Sequence, residues 1–327
     1  MRKNEIIIAA ILILSILCFL LISKTNQLTA NAQDEAKNEL MIETFSGTGQ
    51  LERELLSAQK YIHIEMYGFT DFDLFGVLIA CAKKGVEVKV MLERAPYQAE
   101  TENWDARYNL TKFGITCKWT SPEFFLTHAK FMVIDGVKAI VFTGNWTYSS
   151  FSKDREFALI MMDETKAQML ETLFQKDWAR EKFENPDPDL IISPIDSRVK
   201  IETALKSAQK TIKIWEQSVE DESIINILKE AKARGVDVKM INPPLSSTPG
   251  NSNAVNALPG CVRSLPNPYV HAKTFIIDDS FAYIGSNNFT TPSLENERET
   301  AVFTRDEATI KILLDLWEID WVNSKTP

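Results

Sequence analysis

Cysteine and histidine are the scarce residues of this 327-residue chain. Only four cysteines occur (Cys18, Cys81, Cys117, Cys261), with no C-x-x-C pair, which excludes a disulfide-dense scaffold and a zinc knuckle. Three histidines are too few for a histidine-rich metal centre, so each is worth following. Positive charge is also short: 36 Lys and Arg face 45 Asp and Glu, a net charge of −9, which excludes a generally basic nucleic-acid coat but not a local basic groove. The rest is ordinary. Apolar residues make up 45% and charged residues 25%, ruling out a disordered or fibrous chain, and the length suits two ordinary domains or one large one.

The chain has one long apolar run, residues 6–22, preceded by Arg2 and Lys3 and followed by Lys24. Its length lies at the short edge of a membrane-spanning helix and slightly beyond a signal-peptide core. Basic residues ahead of it predict a cytoplasmic start and an extracytoplasmic working domain. Ala30-Asn31-Ala32 fits a cleavage site but stands far from the run, so residues 1–32 read as an anchor sooner than as a cleaved signal. They hold three basic residues and one acidic residue, leaving 33 against 44, or −11, for the remainder. Cys81 falls in a helical pattern, and a Cys117–Cys261 bridge is one option in an oxidising compartment.

The remainder repeats itself. Ser57-Ala58-Gln59-Lys60 followed by Ile62-x-Ile64 returns as Ser207-Ala208-Gln209-Lys210 followed by Ile212-x-Ile214. Gly85-Val86-Glu87-Val88-Lys89-Val90 returns as Gly235-Val236-Asp237-Val238-Lys239-Met240 at the same offset of 150. From His128 onward the offset is 143. Each half reads as strand, helix, strand, variable loop, strand, strand, helix. The first half places these at 61–67, 74–84, 86–92, 130–134 and 139–142; the second, at 211–215, 223–234, 236–241, 274–277 and 282–284. Such alternation predicts an α/β fold of two duplicated halves, each a mixed sheet flanked by helices. The expected boundaries are 39–183 and 198–325, with a Pro-rich linker at 184–197.

Two histidines open the same pattern, His-x-Lys-x4-Asp: His128, Lys130, Asp135 and His271, Lys273, Asp278. Positions i and i+2 of a strand share a face, so His and Lys project together. After six intervening residues beyond each Asp come Phe142-Thr143-Gly144-Asn145 and Gly285-Ser286-Asn287-Asn288. Two ammonium groups and two amides suit the non-bridging oxygens of a phosphodiester. One imidazole can attack phosphorus while the other protonates the departing alkoxide, with no metal or cofactor required. Glu156 and Glu299 follow at matching places and would orient the rings, unless they pair with the adjacent Arg155 and Arg298.

These motifs resemble the phospholipase D superfamily signature, His-x-Lys-x4-Asp-x6-Gly-Ser-x-Asn. The second half matches it at His271, Lys273, Asp278, Gly285, Ser286 and Asn288. The first keeps His128, Lys130, Asp135 and Asn145, with Thr143 for Ser and Phe142 for Gly. The resemblance covers about residues 40–325. It implies one bilobal α/β/α/β/α unit with pseudo-twofold symmetry, a shared site, and a phosphohistidine intermediate with His128 as nucleophile and His271 as acid/base. The catalytic candidates are thus both His-Lys-Asp sets, with Asn145, Asn288, Thr143 and Ser286 as phosphate ligands.

His63 aligns with Lys213 and reads as a solvent-facing or boundary residue, not a third catalyst. Trp119, Phe124, Phe125 and Leu126 precede His128, and Pro266, Pro268 and Tyr269 precede His271; they read equally as an acyl pocket, a base-stacking surface or core. The leading expectation is a monomeric, membrane-facing phosphodiesterase that hydrolyses phospholipid. The alternatives are an exported endonuclease, a phosphatidyl transferase like the cardiolipin synthases, and a non-catalytic phosphate-binding module.

Overall fold

The structure, a computed structural model, describes residues 38–43, 47–97, 99 and 101–327. The expected anchor or signal at 1–32, with Cys18, lies outside the described residues. Among the described residues, no helix is long and apolar enough to cross a membrane.

The first half contributes β1 (Glu39–Ile42), β2 (Tyr61–Met66), β3 (Glu87–Leu92), β4 (Thr116–Trp119), β5 (Lys130–Ile134), β6 (Lys138–Phe142), β7 (Asp154–Arg155) and β8 (Phe157–Met161). The second contributes β9 (Leu190–Ser193), β10 (Thr211–Glu216), β11 (Asp237–Asn242), β12 (Val262–Ser264), β13 (Tyr269–Val270), β14 (Lys273–Ile277), β15 (Phe281–Gly285) and β16 (Glu299–Thr304). Two seven-stranded mixed sheets result, ordered β1-β8-β6-β5-β2-β3-β4 and β12-β11-β10-β14-β15-β16-β9. The orders correspond strand for strand, as a duplication requires.

Sequence places the helices as well. Asp71 accepts from the Asp73 and Leu74 amides to start the helix Phe72–Lys83, and its repeat, Asp221, accepts from Ile224 to start Glu222–Ala233. Gly85 and Gly235, both at φ +92°, end those helices in the left-handed conformation that glycine tolerates. These two helices cover the outer faces of the sheets, with Leu74, Phe75 and Leu78 in one core and Ile224, Ile225 and Leu228 in another. Between the sheets lie the helices Glu164–Ala179 and Glu307–Asn323. Their Leu170, Phe174, Leu313 and Trp317 join Phe131, Leu159, Trp215 and Ile284 in one core shared by both halves. Five layers alternate, helix, sheet, helix, sheet, helix, each sheet buried on both faces.

Three expectations change. The stretch 184–197 contains β9, which pairs with β16 and completes the second sheet. Cys117 and Cys261 are free thiols packed in the two separate outer cores, so no bridge joins them. His63 is buried, 3% exposed, stacked between Tyr61 and Phe174 and bonded to Glu171 at 2.9 Å and Glu87 at 3.1 Å.

Candidate active site

The backbone crosses between the halves where the chemistry is. β13, just before His271, pairs in parallel with β7, just before Glu156, and the Ala272 amide donates to Arg155 O at 2.9 Å. Reciprocally, Thr127 bridges Arg298 in parallel, and the His128 amide donates to Arg298 O at 2.8 Å. Each histidine therefore stands beside the glutamate of the other half. His128 Nδ1 lies 3.0 Å from both Glu299 carboxylate oxygens, and His271 Nδ1 bonds Glu156. A hydrogen on Nδ1 leaves Nε2 of each ring for reaction. The arginines are occupied elsewhere: Arg155 forks onto Asp320 at 2.7 and 2.8 Å, and Arg298 reaches Asp177 at 3.0 Å. These buried pairs also cross, tying each half to the other's central helix.

His128 and His271 line one cavity of about 580 Å³, with Asn145 and Asn288 on its wall. The Oδ1 atoms of both asparagines are buried without a partner, and their Nδ2 groups are the atoms able to donate to a phosphate oxygen. Lys130 and Lys273 lie fully buried behind the histidines, and each ammonium donates to its own histidine's backbone oxygen, Lys130 at 2.8 Å.

Thr143 and Ser286, expected as phosphate ligands, are fully buried and turned inward. Thr143 Oγ1 donates to Glu156 at 2.5 Å, and Ser286 Oγ donates to Thr300 O at 3.1 Å. Their hydroxyls hold the strands that carry the glutamates. Asp135 and Asp278, expected among the catalytic groups, sit at the far ends of β5 and β14. Asp135 accepts from the Gln59, Lys60 and Tyr61 amides at 2.7–2.9 Å, and Asp278 accepts from Gln209, Lys210 and Thr211 at 2.7–3.2 Å. Both adopt φ above +50° and pin a hairpin turn. A carboxylate fits there because it accepts several backbone donors at once.

The signature glycine has a steric reason. A Cβ on Gly285 would stand 2.0 Å from Ala301 Cβ, whereas Phe142, paired with Ala158 in the same register, fills the first outer core. At Gly144, opposite Asn287 of the repeat, a Cβ would meet Glu43 at 2.7 Å. Glu43 is a buried carboxyl pushed well above its ordinary range by burial and by Glu156.

The halves differ in electrostatics. Lys130 lies 4.9 Å from the Tyr67 ring, against whose edge His128 also packs at 4.5 Å; burial brings its ammonium down to about 7. Lys273 donates to Gln217 at 2.9 Å and faces Glu216 across the strand pair, and burial lowers it too. Burial, with the two lysines, holds His128 well below its ordinary value. His271 is lowered by burial, with the Glu156 carboxylate acting against that shift. Glu299 is pushed up to about 7 by burial, while Glu156 lies below its ordinary range because His271 and Lys273 outweigh its burial. Glu156 is thus the ionised glutamate of the two, while Glu299 holds a proton on the acid side of neutrality. His128, Glu297 and Glu299 place ligand atoms within 4.8 Å of one another and form a candidate cation site among the described residues. Burial and Glu299 push Glu297 up to about 8, so it holds a proton at neutral pH, and Lys130 draws both carboxyls down only in part.

Phe125 and Leu126 line the cavity. The other loop aromatics do not: Phe124 stacks under Arg298 at 4.2 Å, Trp119 packs on Trp104 and Arg107, and Tyr269 belongs to β13. Sequence reasoning missed Tyr67, Gln217, Glu216 and Glu297; aligning 65–70 with 215–220 exposes the first three as places where the repeats disagree.

The family model described as "Cardiolipin synthase, PLD-like domain" matches residues 51–178 and 201–321. The chain belongs to this family. It is 24% identical to a probable cardiolipin synthase of Bacillus subtilis, over 84% of this chain and 63% of that protein. Cardiolipin synthase 1 of Staphylococcus aureus is 26% identical, over 84% of this chain and 65% of its own length. The chain therefore spans just under two thirds of these relatives. The polyphosphate kinase of Porphyromonas gingivalis superimposes with a TM-score of 0.69 at 16% identity, covering 89% of this chain and 50% of that one, and shares the fold alone.

Proposed function

We propose that the protein is a phosphatidyl transferase: it moves the phosphatidyl group of a phospholipid from its headgroup to another alcohol through phosphohistidine. The observation that carries this reading is the reciprocal pair of His–Glu contacts around one cavity, backed by two buried lysines. Neutral His128, its Nδ1 held by Glu299, attacks phosphorus through Nε2. The bond from phosphorus to the headgroup oxygen breaks, and that oxygen takes a proton from the His271 imidazolium, which the Glu156 carboxylate stabilises. An acceptor alcohol then gives its proton back to His271 as its oxygen attacks phosphorus, and the N–P bond breaks. Lys130, Lys273, Asn145 and Asn288 meet the charge that builds on the non-bridging oxygens. The cardiolipin synthases among its relatives support an alcohol, in place of water, as acceptor.

The test uses the full chain with phosphatidylglycerol vesicles in EDTA, with His128→Ala and His271→Ala beside it. Lipid-linked transfer products that both substitutions abolish are expected. Phosphatidic acid as sole product would restore the hydrolase, and loss of activity in EDTA with rescue by a divalent cation would overturn the metal-free mechanism.

A further inference from the structure

The two walls of the cavity come from equivalent segments with opposite chemistry. The turn after β2 is Tyr67-Gly68-Phe69-Thr70; the matching turn after β10 is Gln217-Ser218-Val219-Glu220. On the first-half wall, Tyr67 and Tyr97, joined by the Tyr97 amide donating to Tyr67 Oη at 2.6 Å, make an aromatic face, with Tyr97 76% exposed; Phe125 also lines the cavity, its amide donating to Asn296 O of the second half. On the second-half wall stand Gln217, Glu220 and Thr290, and Gln217 accepts from the same Lys273 ammonium that touches His271.

Glu220 is held in place. Its carboxylate accepts from Ser218 Oγ at 3.0 Å, and a Cβ on Gly250 would stand 2.2 Å from its Oε1, so the 249–251 turn closes against it. Fully buried Asn251 fastens the segment, accepting from the Val219 amide at 2.7 Å and donating to Gln217 O at 3.0 Å. Among the described residues lining the cavity there is no Lys or Arg; its carboxyls are Glu102 on the first-half wall and Glu220 and Glu297 on the second, and because Glu297 holds its proton at neutral pH, Glu220 sets the sign of this wall.

In-line displacement puts the leaving group opposite the nucleophile and next to the acid. With His128 attacking and His271 protonating, the departing alcohol lies against the second-half wall, and the diacylglycerol side against the aromatic one. We propose that Gln217, Glu220 and Thr290 form the alcohol subsite, and that Glu220 makes it select uncharged and ammonium-bearing alcohols over those that carry their own phosphate. The inference rests on the transferase reading, because leaving and incoming alcohols then use the same subsite in turn.

The experiment offers ethanolamine and glycerol 3-phosphate together as acceptors to the full chain on phosphatidylglycerol vesicles, comparing wild type, Glu220→Gln and Glu220→Lys. The ratio of ethanolamine to glycerol phosphate product is expected to fall in that order, by about tenfold or more for Glu220→Lys, since reversing a charge reverses the local preference. A ratio unchanged across the three proteins overturns the subsite. Saturation-transfer NMR of ethanolamine gives a readout free of turnover. A signal on wild type that Glu220→Lys loses, in protein that forms no product, supports the subsite and overturns the transferase. An equal signal on both proteins, or none on wild type, overturns the subsite.

Discussion

At the scale of residues, two glutamates in equivalent places carry different charges, and substitution should separate them. Glu299, its carboxyl pushed up to about 7, is protonated on the acid side of neutrality, where Gln resembles it, and ionised on the alkaline side, where Gln does not. Glu299→Gln should keep kcat within a few-fold at about pH 6 and lose about 10–100-fold at about pH 8. Glu156 lies below its ordinary range and is ionised throughout, so Glu156→Gln should lose about 10–100-fold at both. Parallel pH–rate profiles check the pair; coincident profiles would contradict the assignment of charge. Glu297 supplies a stability counterpart. Its carboxyl is raised in the fold from 4.5 to about 8, so its contribution is fully present below 4.5 and is lost as pH climbs towards 8. The Tm of wild type should drop across that window, and Glu297→Gln should flatten the drop.

At the scale of elements, the paired aspartates hold hairpins. Asp135→Ala removes a carboxylate from three amides and should cost about 1–3 kcal/mol in urea unfolding, leaving kcat per folded molecule near wild type. A large loss of kcat would return Asp135 to the chemistry. Gly285→Ala should also destabilise by about 1–3 kcal/mol, since its Cβ has no space before Ala301. Strands that alternate or carry the motif, β2, β5, β10 and β14, were legible in sequence, as were the Asp-capped, Gly-ended helices. β8 and β16 were not, because strands buried on both faces lose the alternation that marks a strand. β9 was hidden among prolines. The site's histidines, lysines and asparagines were legible because duplication prints them twice. Asn103, which bonds Tyr67 O and the Phe69 amide as Asn251 does in its own half, was not, since the two stand 148 apart and fall outside both offsets.

At the scale of the molecule, one chain supplies a whole site. Mixing inactive His128→Ala and His271→Ala proteins should restore no transfer, because both His–Glu contacts close within a single chain. Recovered activity would mean that halves of different chains assemble together. The crossed contacts have a historical consequence too. A duplicated segment is ordinarily free to decay once its twin performs the task. Here a change at Glu156 acts on His271, and one at Glu299 acts on His128, so damage to either copy disables its sibling. Each copy is hostage to the other: the repeats can diverge at their rims, as Thr70 and Glu220 have, while their centres are bound to change together.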